Sequence, residues 1–359
     1  MANDRISLSS YDGQKWQLFP HVGSMPADVR VAKDTWQPES SIDGIVPGTA
    51  FAAYVAAGYE EDPNFSDNIY RVNEETYNVA HWYRTYFDRP ASANGRTRTI
   101  LTFEGINRTA YIFLNGKKLG IIKGHVMKVS YDVTDLLKDE GNFLAVKINM
   151  MRAAHLPRSS SFVNYECPTY VASHSWDWMP YVPGLNTGIT NDVYLEVVGD
   201  VTIRDPWIRT VLTDNYTKAT VRPLTSLQNL TAEDQTVKVK AKIMPGNYQV
   251  TKDVTVAAGD SIDIEMPNVA IDNPALWWPN GYGEPNLYTC EFEIEKGGQV
   301  IDSFSQSFGI REYQYKKENS AFVVCLNGKK IYCKGGNWGM SEYMLRTHGE
   351  EYDLRVKLH

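Results

Sequence analysis

The sequence predicts a mainly β protein built from two successive β-sandwiches. Three observations carry this. Period-two alternation of apolar and polar residues dominates the chain, the alternating runs are short and bounded by turn signals, and helical patterning is scarce.

In chain order, a short helix is expected at 50–58, behind Pro47-Gly48-Thr49. Strands follow at Arg98–Phe103, 110–114, 143–148 and Val193–Val198, with one helical turn near 134–138. Further on, Val237, Val239, Ala241 and Ile243 alternate with Lys238, Lys240 and Lys242. Ile262, Ile264 and Met266 alternate with Asp263 and Glu265, and Tyr288, Cys290, Phe292 and Ile294 with Thr289, Glu291 and Glu293. One polar face per strand marks antiparallel sheets wetted on one side. A last helix is expected at Glu350–Leu358. Boundaries fall near 199–206, where a new strand is read as starting after Asp205-Pro206, and near 309–315. The domains read from this are 1–200, 201–311 and 312–359. The second has the size of an immunoglobulin-like sandwich, and the third is too short for an ordinary independent domain.

Leu114-Asn115-Gly116-Lys117-Lys118 nearly recurs as Leu326-Asn327-Gly328-Lys329-Lys330. Asn-Gly suits a two-residue hairpin turn, whose central residues both take positive φ. With no longer repeat around it, this reads as one turn chemistry used twice.

The chain has 359 residues, 36 of them basic and 43 acidic, a net charge of −7 that argues against a nucleic-acid surface. No apolar run approaches the roughly 18 residues of a membrane span, so neither nucleic acid nor membrane is an expected partner. The start, Met1-Ala2-Asn3-Asp4-Arg5, lacks a signal-peptide pattern, which fits an intracellular protein or one whose leader has been removed. No His or Cys spacing supports a metal site, and no motif calls for a cofactor. Four cysteines, Cys167, Cys290, Cys325 and Cys333, make no disulfide framework and read as reduced. Only Cys325 and Cys333, flanking a tight turn, are placed to face each other.

The richest local chemistry is Ser173-His174-Ser175-Trp176-Asp177-Trp178-Met179-Pro180-Tyr181. A Trp face matches the flat C–H face of a sugar, and an ionised Asp accepts from paired hydroxyls. The same residues also suit a buried strand face with Asp177 at an edge. Trp277-Trp278-Pro279-Asn280-Gly281-Tyr282-Gly283 reads as a loop that closes a sandwich end.

Taken in order along the chain, the motifs resemble the N-terminal part of glycoside hydrolase family 2, the superfamily of β-galactosidase, β-mannosidase and exo-β-D-glucosaminidase. They run Val46-Pro47-Gly48-Thr49, Asp62-Pro63-Asn64-Phe65, Trp82-Tyr83-Arg84-Thr85, Phe103-Glu104-Gly105-Ile106, Trp176-Asp177-Trp178 and Gly188-Ile189. Next come Trp277-Trp278-Pro279-Asn280-Gly281-Tyr282-Gly283, Phe308-Gly309-Ile310-Arg311, Leu326-Asn327-Gly328 and Lys334-Gly335-Gly336-Asn337-Trp338.

The resemblance implies a jelly-roll sugar-binding domain, then an immunoglobulin-like sandwich, then the first strand and helix of a TIM barrel that this chain does not complete. It implies a carbohydrate substrate and the rest of the barrel as partners. Asp177, Trp176, Trp178, Asn68, Asn337 and Trp338 would bind substrate. No catalytic residue is assigned, because the family's two carboxyls lie on later barrel strands; Asn73-Glu74 and Ser341-Glu342 only mimic their dipeptides. The chain would be a non-catalytic portion of a retaining β-glycosidase, inactive alone. Residues from about Lys334 onward would lack packing partners. Thr190-Asn191 stands where Trp-Arg is usual in the family. The competing readings are a stand-alone carbohydrate-binding module and an interaction protein built on sandwiches.

Overall fold

A computed structural model of the chain describes residues 5–91, 95–150, 180–337 and 342–359. They form two compact units. One holds the described residues of Arg5–Pro90, Thr99–Glu196 and Trp338–His359; the other holds those of Ala91–Arg98 and Val197–Asn337.

The strands of the first unit are β1 (Arg5–Ser7), β2 (Trp16–Pro20), β3 (Ile42–Asp43), β4 (His81–Phe87) and β5 (Arg98–Phe103). They continue with β6 (Thr109–Leu114), β7 (Lys117–Lys123), β8 (Val129–Asp132), β9 (Asn142–Asn149) and β10 (Val193–Val198). A sheet of order β1-β10-β5-β8 and one of order β3-β2-β4-β9-β6-β7 share a core that includes Leu18, Tyr83, Leu101, Ile112, Val146 and Leu195. The core also takes in α2 (Ala50–Ala56), which follows the four-residue α1 (Asp28–Val31). Thr49 begins α2 as the sequence suggests: its Oγ1 accepts the Ala52 amide at 3.2 Å.

Strand β4 shows why alternation missed it. Trp82 and Phe113 meet a second, smaller core with Phe19, Phe143, Val31 and Ala32, so the sheet is covered on both faces and His81–Thr85 is buried throughout. A strand buried on both sides loses the period-two signature.

The second unit contains β11 (Val201–Thr213), β12 (Lys218–Asn229), β13 (Gln235–Met244), β14 (Tyr248–Val256), β15 (Ser261–Glu265), β16 (Val269–Asp272), β17 (Tyr288–Lys296) and β18 (Gln299–Phe308). Sheets of order β11-β12-β15, with β16 also on β12, and β14-β13-β17-β18 enclose Val221, Val239, Ala241, Phe292 and Ile294. The apolar faces read for β13 and β17 are the buried ones. The reading of a new strand after Asp205-Pro206 is corrected: β11 is continuous, and its register shifts between Arg204 and Trp207. Asp205 takes positive φ there, and Pro206, which cannot donate to the ladder, sits in the bulge.

A three-stranded meander follows: β19 (Tyr313–Glu318), β20 (Ala321–Leu326) and β21 (Lys329–Ile331). Strand β21 pairs antiparallel with β20. Both Asn-Gly turns form as expected, with φ of 51° and 79° at Asn115-Gly116 and 46° and 76° at Asn327-Gly328.

The expectation that the C-terminal segment lacks packing partners is half right. Helix α3 (Glu350–Leu358) buries no residue, but Met344 is fully buried in the first core, and its carbonyl accepts from Thr49 Oγ1 at 3.2 Å. Cys290, Cys325 and Cys333 are free thiols. Cys325 lies opposite Lys330, not opposite Cys333, which is exposed beyond the end of β21.

Candidate functional site

Of the six residues read as substrate-binding, Asp177, Trp176, Trp178 and Trp338 lie outside the described residues. Asn68 and Asn337 are described, in different units. Asn337 is exposed, in irregular chain after β21.

Asn68 sits in the loop that starts with Asp62-Pro63-Asn64-Phe65. The loop builds itself from short-range bonds. Asp62 Oδ1 accepts the Asn64 amide at 2.9 Å, the Asp62 carbonyl accepts the Phe65 amide at 3.0 Å, and Asn68 Nδ2 donates to the same carbonyl at 3.1 Å. This Asx-turn chemistry is written in the residue types. Asn68 is thereby buried, while Phe65 and Tyr70 on either side are 74% and 76% exposed. Two exposed rings around a polar loop are the residue types a sugar face calls for.

The sequence did not show what holds this loop. Glu342, 8% exposed, accepts Asn64 Nδ2 on Oε2 at 3.3 Å. It also accepts the amides of Met344 at 3.0 Å and Arg346 at 2.6 Å. Arg346 approaches Glu342 at 3.5 Å and Asp62 at 3.7 Å. With its oxygens taken by three hydrogen-bond donors and the Arg346 ion pair, Glu342 is built as a clamp between the C-terminal segment and the loop. The only available signal was the i, i+4 spacing of Glu342 and Arg346. Burial raises the neighbouring Tyr343 phenol well above its ordinary range, and the Glu342 and Asp62 carboxylates add to it.

The family-type motifs gather at two places. In the first unit, the Gly48 amide donates to the Ile189 carbonyl (2.7 Å) and Ala50 to Thr187 (2.8 Å). Asn107 and Gly188 exchange amide bonds of 2.9 and 3.1 Å, and Asn107 Nδ2 donates to the carbonyls of Leu185 and Asn186. Gly188 has to be glycine: a β-carbon would fall on the Gly48 carbonyl oxygen and 2.7 Å from Thr49 Cα. The unusual Thr190-Asn191 pair is half-buried at Thr190 and exposed at Asn191, with Thr190 Oγ1 3.1 Å from Asn191 Oδ1. In the second unit, Trp277 donates its amide to Ile310 (2.9 Å), lies under the Arg311 guanidinium (4.7 Å) and gives its carbonyl to Asn327 Nδ2 (3.1 Å). The Trp277-Trp278 loop therefore closes the sandwich end, as its composition suggested.

Comparison with known proteins agrees with this arrangement. The family model for the glycosyl hydrolase 2 galactose-binding domain-like region matches residues 30–191, and that for glycosyl hydrolases family 2 matches residues 201–311. The chain belongs to glycosyl hydrolases family 2. It is 28% identical over 341 residues to mannosylglycoprotein endo-beta-mannosidase of Lilium longiflorum, covering 89% of this chain and 35% of that protein. It is 26% identical over 306 residues to an exo-beta-D-glucosaminidase of Streptomyces avermitilis, covering 82% and 32%. Among solved structures, the Amycolatopsis orientalis exo-chitosanase CsxA superposes with a TM-score of 0.82 at 22% identity, over 96% of this chain and 38% of that one. That likeness speaks to the fold alone. The chain spans about a third of the length of these curated relatives.

Proposed function

We propose that the chain is the non-catalytic N-terminal portion of an exo-acting, retaining β-glycosidase of the β-mannosidase or exo-β-D-glucosaminidase type. The carrying observation is the ordered match of two family-2 models, together with relatives that are β-mannosidases and β-glucosaminidases and extend well beyond the aligned part. In this reading, 1–200 is a jelly-roll sugar-binding domain, 201–311 an immunoglobulin-like sandwich and 312–359 the start of a (β/α)₈ barrel. Such a barrel takes about 250 residues. The acid/base and the nucleophile, carboxyls about 5–5.5 Å apart, lie on the part that follows.

This chain's share of the work is positioning. Asp177, Trp176 and Trp178 hold hydroxyls and a ring face of the terminal sugar. Asn68, fixed by Asp62, contributes to the pocket rim, and Asn337 and Trp338 to the barrel floor. Contacts remote from the scissile bond raise catalysis when they tighten in the transition state.

The test has two arms. Purified 1–359 should not hydrolyse aryl β-mannosides or β-glucosaminides; turnover that survives a purity control overturns the reading. In the complete enzyme, Asp177→Ala should lower kcat/KM, and an unchanged value would return Asp177 to a structural role.

A further inference from the structure

A cavity with both polar and apolar lining lies in the first unit, away from the Asn68 loop. It has a volume of about 820 Å³ and opens where the β2–β3 edge of the six-stranded sheet meets the C-terminal end of α2, at Ala56 and Ala57. The Asn68 loop and Glu342 gather at the other end of that helix, where Thr49 bonds Met344. Seven residues of helix put about 10 Å between the two ends.

The lining mixes polar and aromatic side chains. Gln17, Gln37, Ser41, Asp43, Tyr59 and Tyr86 all reach it. Gln17 Nε2 donates to Ser41 Oγ at 3.0 Å and Gln37 Nε2 to the Asp34 carbonyl at 2.9 Å, which turns the amide oxygens away from those contacts. Neither amide oxygen, nor the Asp43 carboxylate, nor the hydroxyls of Tyr59 and Tyr86, has a hydrogen-bond partner among the described residues. Tyr86 is 50% exposed and is held by its ring contact with Phe143 at 4.8 Å. Beneath them Arg84, 2% exposed, lies 4.6 Å from the Phe143 ring, and its Nε and Nη1 have no hydrogen-bond partner among the described residues.

Amide acceptors, a carboxylate and aromatic rings beside small alanines match a ligand that presents many hydroxyls and flat apolar faces. A hydrocarbon ligand would leave these polar groups unpaired. The volume is within the roughly 300–1,000 Å³ of small-ligand sites.

We propose that this cavity is a second saccharide-binding site, taking one or two sugar rings. It shares only the carbohydrate class with the function proposed above and uses none of the same residues. The site holds a neighbouring part of the glycan while another part is processed, and needs no catalytic group.

The experiment is calorimetric and NMR titration of the 359-residue chain with mannobiose and with chitobiose. Binding in the millimolar range is expected for one of them, with shifts at the side-chain amides of Gln17 and Gln37. Gln37→Ala and Tyr86→Ala should each weaken it at least fivefold, and Tyr86→Phe, which keeps the ring, by about twofold. Asp177→Ala and Asn68→Ala should leave it unchanged. All variants are first matched to the parent by thermal unfolding. Absence of binding by both disaccharides overturns the proposal. So does binding that is lost in Asp177→Ala and kept in Gln37→Ala and Tyr86→Ala, a result that would leave the first reading standing.

Discussion

Asn327 gives its amide to the Glu312 carbonyl at 2.9 Å and takes the Glu312 amide on its side-chain oxygen at 2.9 Å. Asn115 holds Phe143 by the same two bonds, at 2.8 and 2.9 Å. In both turns the asparagine amide stands in for a strand neighbour's backbone. The recurrence of Leu-Asn-Gly-Lys-Lys is thus more than turn chemistry: each copy stitches its hairpin to a segment outside the hairpin.

Substitutions at Asn115 separate the two roles. Asn115→Gly keeps the left-handed φ and the backbone bond to Phe143 but loses the side-chain bonds to Phe143, Leu136 and Asn142, and should cost about 1–3 kcal/mol. Asn115→Ala adds left-handed strain of about 1 kcal/mol. Urea unfolding should rank Ala below Gly and Gly below the parent. A neutral Asn115→Gly would mean that the turn alone matters.

Arg84 is a buried guanidinium with an aromatic cage of Phe19, Trp36 and Phe143 and, among the described residues, one hydrogen bond, from Nη2 to the Trp36 carbonyl at 2.9 Å. Desolvation lowers its pKa, with Tyr86 and Asp34 opposing. Lysine cannot reproduce a planar, stacked donor. Arg84→Lys should destabilise by about 2 kcal/mol, and Arg84→Met, which leaves no charge in the cage, by less. Denaturant midpoints check the order, and a Met variant weaker than the Lys variant would show that the charge itself is needed.

His81 is fully buried, and neither ring nitrogen has a hydrogen-bond partner of good geometry among the described residues. Burial pushes its pKa down to about 4, with the Val79 backbone pulling weakly upward. The folded chain therefore holds His81 neutral, while the unfolded chain protonates it near 6.5. This stability is complete above pH 6.5 and is lost as pH falls toward 4. The linkage amounts to about 3 kcal/mol. Stability measured from pH 7 to 4 should fall more steeply for the parent than for His81→Gln, and parallel curves would contradict the assignment.

Thiol reactivity should follow burial. Burial pushes the Cys290 thiol up to about 12, and Cys325 is 4% exposed, whereas Cys333 is open to solvent. Only thiolate reacts. Of these three, Cys333 should label first in the native protein, and Cys290 and Cys325 only on unfolding. Four thiols, Cys167 included, should titrate under denaturing conditions; two would signal a disulfide.

The clamp at Glu342 predicts uneven protection in the C-terminal segment. The amides of Met344 and Arg346, bonded to its carboxylate, should exchange slowly, and those of α3 quickly. Glu342→Ala should release the first pair and loosen the Asp62–Asn68 loop, read by amide exchange. Equal exchange along 342–359 in the parent would remove the clamp.

What the sequence determined by itself was local. Strands β13 and β17 were legible because one-sided burial writes period two into the residues. The two Asn-Gly turns were legible because positive φ favours few residue types. Tertiary structure alone decided the rest. It covered both faces of β4 and so erased the alternation, turned Asp205-Pro206 into a bulge instead of a strand start, and paired Cys325 with Lys330. It also joined Asn64 to Glu342 across 278 residues of chain. A local pattern records whether a residue is buried; which distant group buries it, or takes its hydrogen bond, depends on how sheets and loops pack once the chain has closed.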